Sequence, residues 1–357
     1  MTDAARRVLR EVLDAAIAAR VTPGAVLEVG DIDGAILVDV AGRLTYAAEA
    51  APVTAGTRYD LASLTKVMAT ATLAMRLTAD GTLPLGTRVV ECVPAFTGGA
   101  RDTVTVADLL AHAGGLPAHR PYYRRFAGRA AYQAALCREA LTYTPRTRHE
   151  YTDLGFLLLA HCLEAATARP LAAQFDAWRD EAIPGADVAF GPLRRPAGDV
   201  APTEADRWRG RVVIGHVHDG NAAAVGGAAG HAGLFGTAAA VGAYARWYLR
   251  LWLGLTAHST GIPSALARQF ATRGTVPGSS RALGWDTMLP TSSCGAHLSP
   301  TSIGHTGFTG TSLWLDPIRR GYVVLLTNRV HPDSASADGI RALRIAVHDA
   351  VALGWPP

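Results

Sequence analysis

Lysine is almost missing from this 357-residue sequence. Of 34 basic residues, 33 are arginine and only Lys66 is lysine. A surface cation can usually be either residue, so the one position that keeps lysine points to a job arginine cannot do. Arginine does not shed its proton in a protein, whereas lysine does when burial or neighbours lower its pKa. Cysteine is scarce too. Cys92, Cys137, Cys162 and Cys294 show no metal-ligand spacing and give no sign of a disulfide framework. Cys137 and Cys162 sit in apolar helical stretches and read as buried thiols. No apolar run is long enough to cross a membrane as a helix. Residues 1–20 lack the continuous apolar core of a signal peptide and carry Asp3, Glu11 and Asp14, so a cytoplasmic protein is expected. Long runs of like charge are missing as well. The formal charge is +4, and the arginines come in short groups such as Arg194–Arg195 and Arg207, Arg209, Arg211. Trp208 among the latter reads as a solvated loop, so no nucleic-acid partner and no membrane partner is expected.

What remains is the composition of a folded protein: 49% apolar and 18% charged residues. The length favours two lobes. Val8, Leu9, Val12, Leu13, Ala16 and Ile17 recur at helical spacing, which predicts an amphipathic first helix. Residues 25–30 and 35–40 read as strands joined at Asp33-Gly34, a hairpin signal. A helix is predicted from about Ser63 to Leu77, ending at Asp80-Gly81. Helices are predicted over 104–110, 130–141, 154–166 and 237–253, with a glycine-, alanine- and proline-rich surface excursion over 190–236. Strands return at 282–287, 311–315 and 322–327, and residues 338–353 close the chain as a helix. Strands at both ends with helices between them suggest an α/β domain from residues 1–80 and 275–357. A mainly helical domain, 81–274, is then inserted in its middle.

Lys66 lies three residues after Ser63. At the opening of a helix these positions share a face. A neutral amine there is within reach of the serine hydroxyl, which is a poor nucleophile until a base takes its proton. The helix N-terminus adds backbone N–H donors and positive potential. Ser63-Leu-Thr-Lys66 therefore supplies nucleophile, base and local field in four residues.

Three ordered motifs extend this pattern across the chain: Ser63-Leu-Thr-Lys66, Tyr151-Thr-Asp153 and His305-Thr-Gly307. With them the sequence resembles the serine β-lactamase and penicillin-binding-protein superfamily, in particular the branch of class C-type β-lactamases, esterases and D-amino-acid peptidases. The resemblance covers nearly the whole length. It implies an antiparallel sheet flanked by helices, an inserted all-helical domain, and a site between them. It also implies that Ser63 forms an acyl-enzyme, that Lys66 is the base, and that Tyr151 assists proton transfer. Backbone N–H groups of Ser63 and Phe308 are the implied oxyanion hole, with Gly307 the small residue beside the substrate.

Two positions depart from the family pattern. Asp153 stands where asparagine is usual. A carboxylate there either holds Lys66 protonated and blunts it, orients it by hydrogen bonds, or caps the following helix. His305 stands where lysine is usual. A largely neutral histidine holds a substrate carboxylate less strongly, which favours ester or small amide substrates. His216 and His218, followed by Asp219, have spacing that can bind zinc on one strand face, but no third ligand stands out, so neither metal nor cofactor is expected. His112 and His231 sit in glycine-rich loops and read as structural. The leading expectation is a serine hydrolase acting on a small-molecule acyl substrate. The alternatives are a β-lactamase or D-Ala-D-Ala carboxypeptidase, acyl transfer with the same residues, and a ligand-binding pseudoenzyme. An inactive relative has little reason to keep its one lysine beside Ser63.

Overall fold

Along residues 322–326, tyrosine, valine and leucine follow one another without a polar break, and all five are buried. A strand of this kind needs cover on both faces. The computed structural model provides it, describing residues 1–193, 200–255, 261–334 and 337–355. The Arg194–Arg195 pair lies outside them.

The strands are β1 (Gly24–Asp31), β2 (Ala35–Gly42), β3 (Tyr59–Asp60), β4 (Val188–Phe190), β5 (Ala205–Asp206), β6 (Arg211–Val212), β7 (Leu234–Gly236), β8 (Asp286–Thr287), β9 (Ile303–Thr306), β10 (Ser312–Asp316) and β11 (Gly321–Thr327). Six of them form an antiparallel sheet in the order β2-β1-β11-β10-β9-β8. Both chain ends build it. Asp31 shapes the β1–β2 turn by accepting the N–H groups of Asp33 and Gly34.

The helices are α1 (Asp3–Ala18), α2 (Thr72–Ala79), α3 (Val89–Cys92), α4 (Val106–Leu110), α5 (Arg129–Arg138), α6 (Asp153–Thr167), α7 (Leu171–Ala182), α8 (Gly220–Ala224), α9 (Ala238–Leu253), α10 (Ser264–Ala271) and α11 (Ala337–Gly354). α1 and α11 cover one face of the sheet, where Leu9, Leu13 and Val347 meet Leu27, Val323 and Leu325. The other face carries Val26, Val324 and Leu326 and shares one core with Met68, Leu110, Phe156 and Tyr244. α9 lies against β1 and β11. A helix inside the range expected as the insert therefore covers the sheet.

Three local expectations change. Of the candidate strand 282–287 only Asp286–Thr287 pairs, because Gly284 turns the chain at φ +88° and Ala282 N–H donates to Trp285 O. The helix after Ser63 is wound as a π-helix over Lys66–Ala71 before becoming α2. The stretch 190–236 is a surface excursion only in part among its described residues: Trp208, Val212 and Ile214 are exposed, but Val213, Val217, Asn221, Ala222, His231 and Leu234 are buried. Its small residues serve close packing: a Cβ on Gly230 would overlap the carbonyl oxygen of Phe156.

Gly242 plays the same part where α9 meets the sheet. A Cβ there would overlap the Glu28 carboxylate, which is buried and accepts the Tyr322 hydroxyl at 2.7 Å. Gly242→Val is expected to lower stability by about 1–3 kcal/mol through overpacking. A urea or thermal unfolding midpoint matching that of the wild type would contradict this packing argument.

Candidate active site

β3 delivers the chain into a tight turn at Leu61-Ala62-Ser63. Ala62 adopts φ +46°, a left-handed conformation uncommon for a residue with a Cβ. Surrounding bonds hold it there. Asp60 Oδ1 accepts the Ala62 N–H at 2.8 Å, and Oδ2 accepts the His218 N–H at 2.6 Å. The hydroxyls of Thr309 and Thr311 donate to the carbonyls of Asp60 and Leu61. Among the described residues, neither the Ser63 N–H nor the Phe308 N–H is taken by an intramolecular acceptor.

The helix that follows brings Lys66 under Ser63. Lys66 is fully buried, and its Nζ lies 2.8 Å from Ser63 Oγ, 2.8 Å from Asp153 Oδ1 and 3.2 Å from the His231 carbonyl oxygen. Burial pushes the Lys66 pKa down, but the Asp153 carboxylate and the Tyr151 hydroxyl more than offset it. The net direction is upward. Burial likewise raises Asp153, yet Lys66, His119 and His231 hold its carboxyl well below the usual carboxylate range. The resting pair is an ammonium and a carboxylate. Of the alternatives open for Asp153, the structure selects the ion pair and not the helix cap. Thr152 takes the cap, accepting the Gly155 N–H at 3.2 Å. A buried amine beside a carboxylate keeps its proton.

Tyr151 stands at the threshold of α6 within a ring of cations and imidazoles. Lys66 Nζ and Arg281 Cζ each lie 4.9 Å from its ring centroid. The His112 ring is 4.5 Å away and the His305 ring 5.8 Å. His305 is buried on β9 rather than facing solvent, and its Nδ1 lies 2.9 Å from the Thr306 carbonyl oxygen. Burial, with Arg281 and Lys66 nearby, pushes its pKa well below the ordinary imidazole value, so it is neutral. Its Nε2 is buried without a hydrogen-bond partner among the described residues. Gly307 has a reason beyond substrate access. A Cβ there would overlap Thr311 Oγ1 and crowd the Leu61 carbonyl, pushing the end of β9 off the Ser63 turn.

A cleft of about 970 Å³ opens over these groups, lined among others by Ser63, Tyr151, Asp153, His305, Gly307 and Phe308. It thus gathers all the sequence-predicted site residues except buried Lys66, which lies beneath Ser63. Others were not anticipated as site residues. His112 accepts the Thr152 N–H at 3.0 Å while packing on Tyr151. His231 pairs with Asp219 at 2.8 Å and lends its carbonyl to Lys66. His119 sits 3.7 Å from Asp153 Oδ2. Only their glycine-rich surroundings flagged His112 and His231, and nothing local marked His119. His218, whose spacing from His216 drew attention in the sequence, pairs with Glu204 at 2.9 Å. Candidate ligand atoms on Asp153, Asp219 and His231 do lie within 4.8 Å of one another. The Lys66 ammonium already supplies the positive charge at Asp153.

The comparisons with known proteins agree with this architecture. The family model described as Beta-lactamase matches residues 9–348. A protein of Escherichia coli (strain K12) named "Putative D-alanyl-D-alanine carboxypeptidase" is 30% identical, over 78% of this chain and 70% of its own length. A Salmonella gallinarum protein of the same name is 29% identical, over 79% and 72%. Among solved structures, EstCE1, a hydrolase with promiscuous acyltransferase activity, superposes with a TM-score of 0.77 at 18% identity, covering 97% of this chain and 98% of its own. The octameric penicillin-binding protein homologue from Pyrococcus abyssi gives 0.78 at 19%, covering 99% and 78%. The chain belongs to the beta-lactamase family and is an enzyme of its serine hydrolase fold.

Proposed function

We propose that the protein cleaves an ester or small amide through an acyl-Ser63 intermediate, with Lys66 as base and Tyr151 assisting. The observation that carries this reading is the 2.8 Å contact between Lys66 Nζ and Ser63 Oγ at the floor of an open cleft. In the proposed cycle, Lys66 in its free-base form takes the Ser63 proton as Oγ attacks the acyl carbon. The Ser63 and Phe308 N–H groups receive the developing oxyanion. Tyr151, next to both Lys66 and His305, passes the proton to the leaving group and later activates water.

The acyl donor's charge is the finer question. Neutral His305 brings no cation to its end of β9, which supports an uncharged substrate. Another observation favours a second reading, a D-Ala-D-Ala carboxypeptidase. Arg344 donates to the carbonyls of Gly307 and Thr311, Arg329 donates to that of Phe308, and both line the cleft. A substrate carboxylate is complementary to that arginine-bearing wall. Comparing kcat/KM for p-nitrophenyl acetate, a D-Ala-D-Ala peptide and nitrocefin separates these readings. Faster turnover of the peptide or of nitrocefin than of the ester would put the carboxylate-bearing substrates first.

Two substitutions test the chemistry. Ser63→Ala is expected to lower p-nitrophenyl acetate turnover by about 10³-fold or more, as loss of an acyl-transfer nucleophile does. Turnover equal to the wild type's would remove Ser63 from the mechanism. The second follows from the sign of the Lys66 shift. Asp153 raises the Lys66 pKa, so the free base gains population as pH rises, and wild-type activity should climb toward alkaline pH. Removing the carboxylate lowers that pKa. Asp153→Asn should therefore move the ascending limb of the pH–rate profile to lower pH, by about 1–3 units. A limb that stays in place or moves up would contradict the base assignment.

A further inference from the structure

Asp153 offers its two oxygens to two different bases. Oδ1 is 2.8 Å from Lys66 Nζ, and Oδ2 is 3.7 Å from Nδ1 of His119. Backbone bonds fix this arrangement. Asp153 N–H donates to Ala118 O at 2.9 Å, the Thr152 hydroxyl donates to Pro117 O at 2.7 Å, and Ala118 N–H donates to Glu150 Oε1 at 3.2 Å. The loop carrying His119 is thereby tied to the start of α6. Lys66 is fully buried, whereas the His119 side chain is 48% exposed and lines the cleft. The carboxylate stands between an amine shut off from water and an imidazole open to it.

Proton abstraction from Ser63 by Lys66 needs an uncharged amine, and the ion pair opposes it. If the Lys66 proton left for bulk water, Asp153 would remain partly buried without its cation, at a large desolvation cost. If the proton moves to His119, Asp153 keeps a positive partner and the net charge of the cluster is unchanged. We propose that His119 is a positioning residue for acylation: it holds a proton in the state in which Lys66 has lost its own, and so is the counter-cation of Asp153 while Lys66 serves as free base. This rests on Lys66 being the base. One Lys66 N–H bond breaks, the His119 Nδ1–H bond forms, and Asp153 begins and ends as a carboxylate. The freed Lys66 lone pair then accepts the Ser63 proton as Oγ bonds to the acyl carbon.

The neighbouring groups leave this role to His119. Asp153 and Asp219 favour a proton on it, against burial and Arg120, and the net direction is upward. Arg120 is paired with Glu139, and Asp219 is bonded to His231 and to the Ala222 N–H. His231 also faces Asp153 but is buried. Tyr151 and Arg281 face the Lys66 side. Of the two imidazoles that face Asp153, only His119 is open to solvent.

The test is kcat/KM for p-nitrophenyl acetate between about pH 6 and pH 10 in the wild type, His119→Ala and His119→Arg, with Ser63→Ala as control. The form with the proton on His119 and Lys66 free holds a fixed share of the singly protonated pair, whereas the fully deprotonated form falls tenfold per pH unit. Loss of His119 should therefore matter more as pH falls. His119→Ala should lie within about twofold of the wild type at pH 10 and about tenfold or more below it at pH 7. His119→Arg, a permanent cation beside Asp153, should retain wild-type activity or better at pH 7. A wild-type-to-alanine ratio that is the same at every pH overturns the proposal, as does an arginine variant as impaired at pH 7 as the alanine variant. If Ser63→Ala is as active as the wild type, the acyl-Ser63 reading fails instead. If Ser63→Ala is inactive and the ratio is flat, only the role of His119 fails.

Discussion

A fully buried ammonium needs a carboxylate, and the Lys66–Asp153 contact is the constraint around which the centre of this enzyme is arranged. Lys66 comes from the helix that follows the Ser63 turn, Asp153 from the first residue of α6, and a backbone carbonyl from His231 also accepts. Three separated stretches must meet within hydrogen-bonding distance for the charge to be tolerated at all. The same pair keeps the amine next to Ser63 and holds a proton on it.

Close approach makes that meeting possible, and the residues that allow it are small. Gly230 lets its loop lie on the carbonyl of Phe156 in α6. Gly307 lets the end of β9 touch the Ser63 turn, and Gly242 lets α9 settle on Glu28. Each stands at a seam between parts of the molecule. The glycine and alanine that suggest a surface excursion over 190–236 in a linear reading serve tight packing at Gly230 in the folded chain.

Charge is divided across the cleft rather than spread evenly. The inner end holds the Lys66–Asp153 pair and the Asp219–His231 pair, and neutral His305 sits beside Tyr151. Arg329 and Arg344 line the side formed by Gly307 and Phe308. Burial and the neighbouring Arg329 push the pKa of Arg344 down, but it remains a cation at neutral pH. The cleft therefore carries positive charge on Arg329 and Arg344 although His305 is neutral.

The sequence by itself determined the local and repetitive features. The amphipathic first helix, the hairpin at Asp33-Gly34, the strands near 312–327 and the closing helix follow from periodicity and turn chemistry, which act over a few residues. The solitary lysine three residues after a serine was equally visible, because i and i+3 neighbours meet on any helix. Tertiary structure decided what depends on residues distant in the chain. The protonation of Lys66 is favoured by Asp153, 87 positions away, and the cap of α6 is Thr152, with the Asp153 side chain on the lysine. Hydrogen bonds between the loop before His119 and residues 150–153 bring it to the site. No local pattern encodes such a meeting, since a pKa and a hydrogen-bond partner are properties of the space around a group and not of its neighbours in sequence.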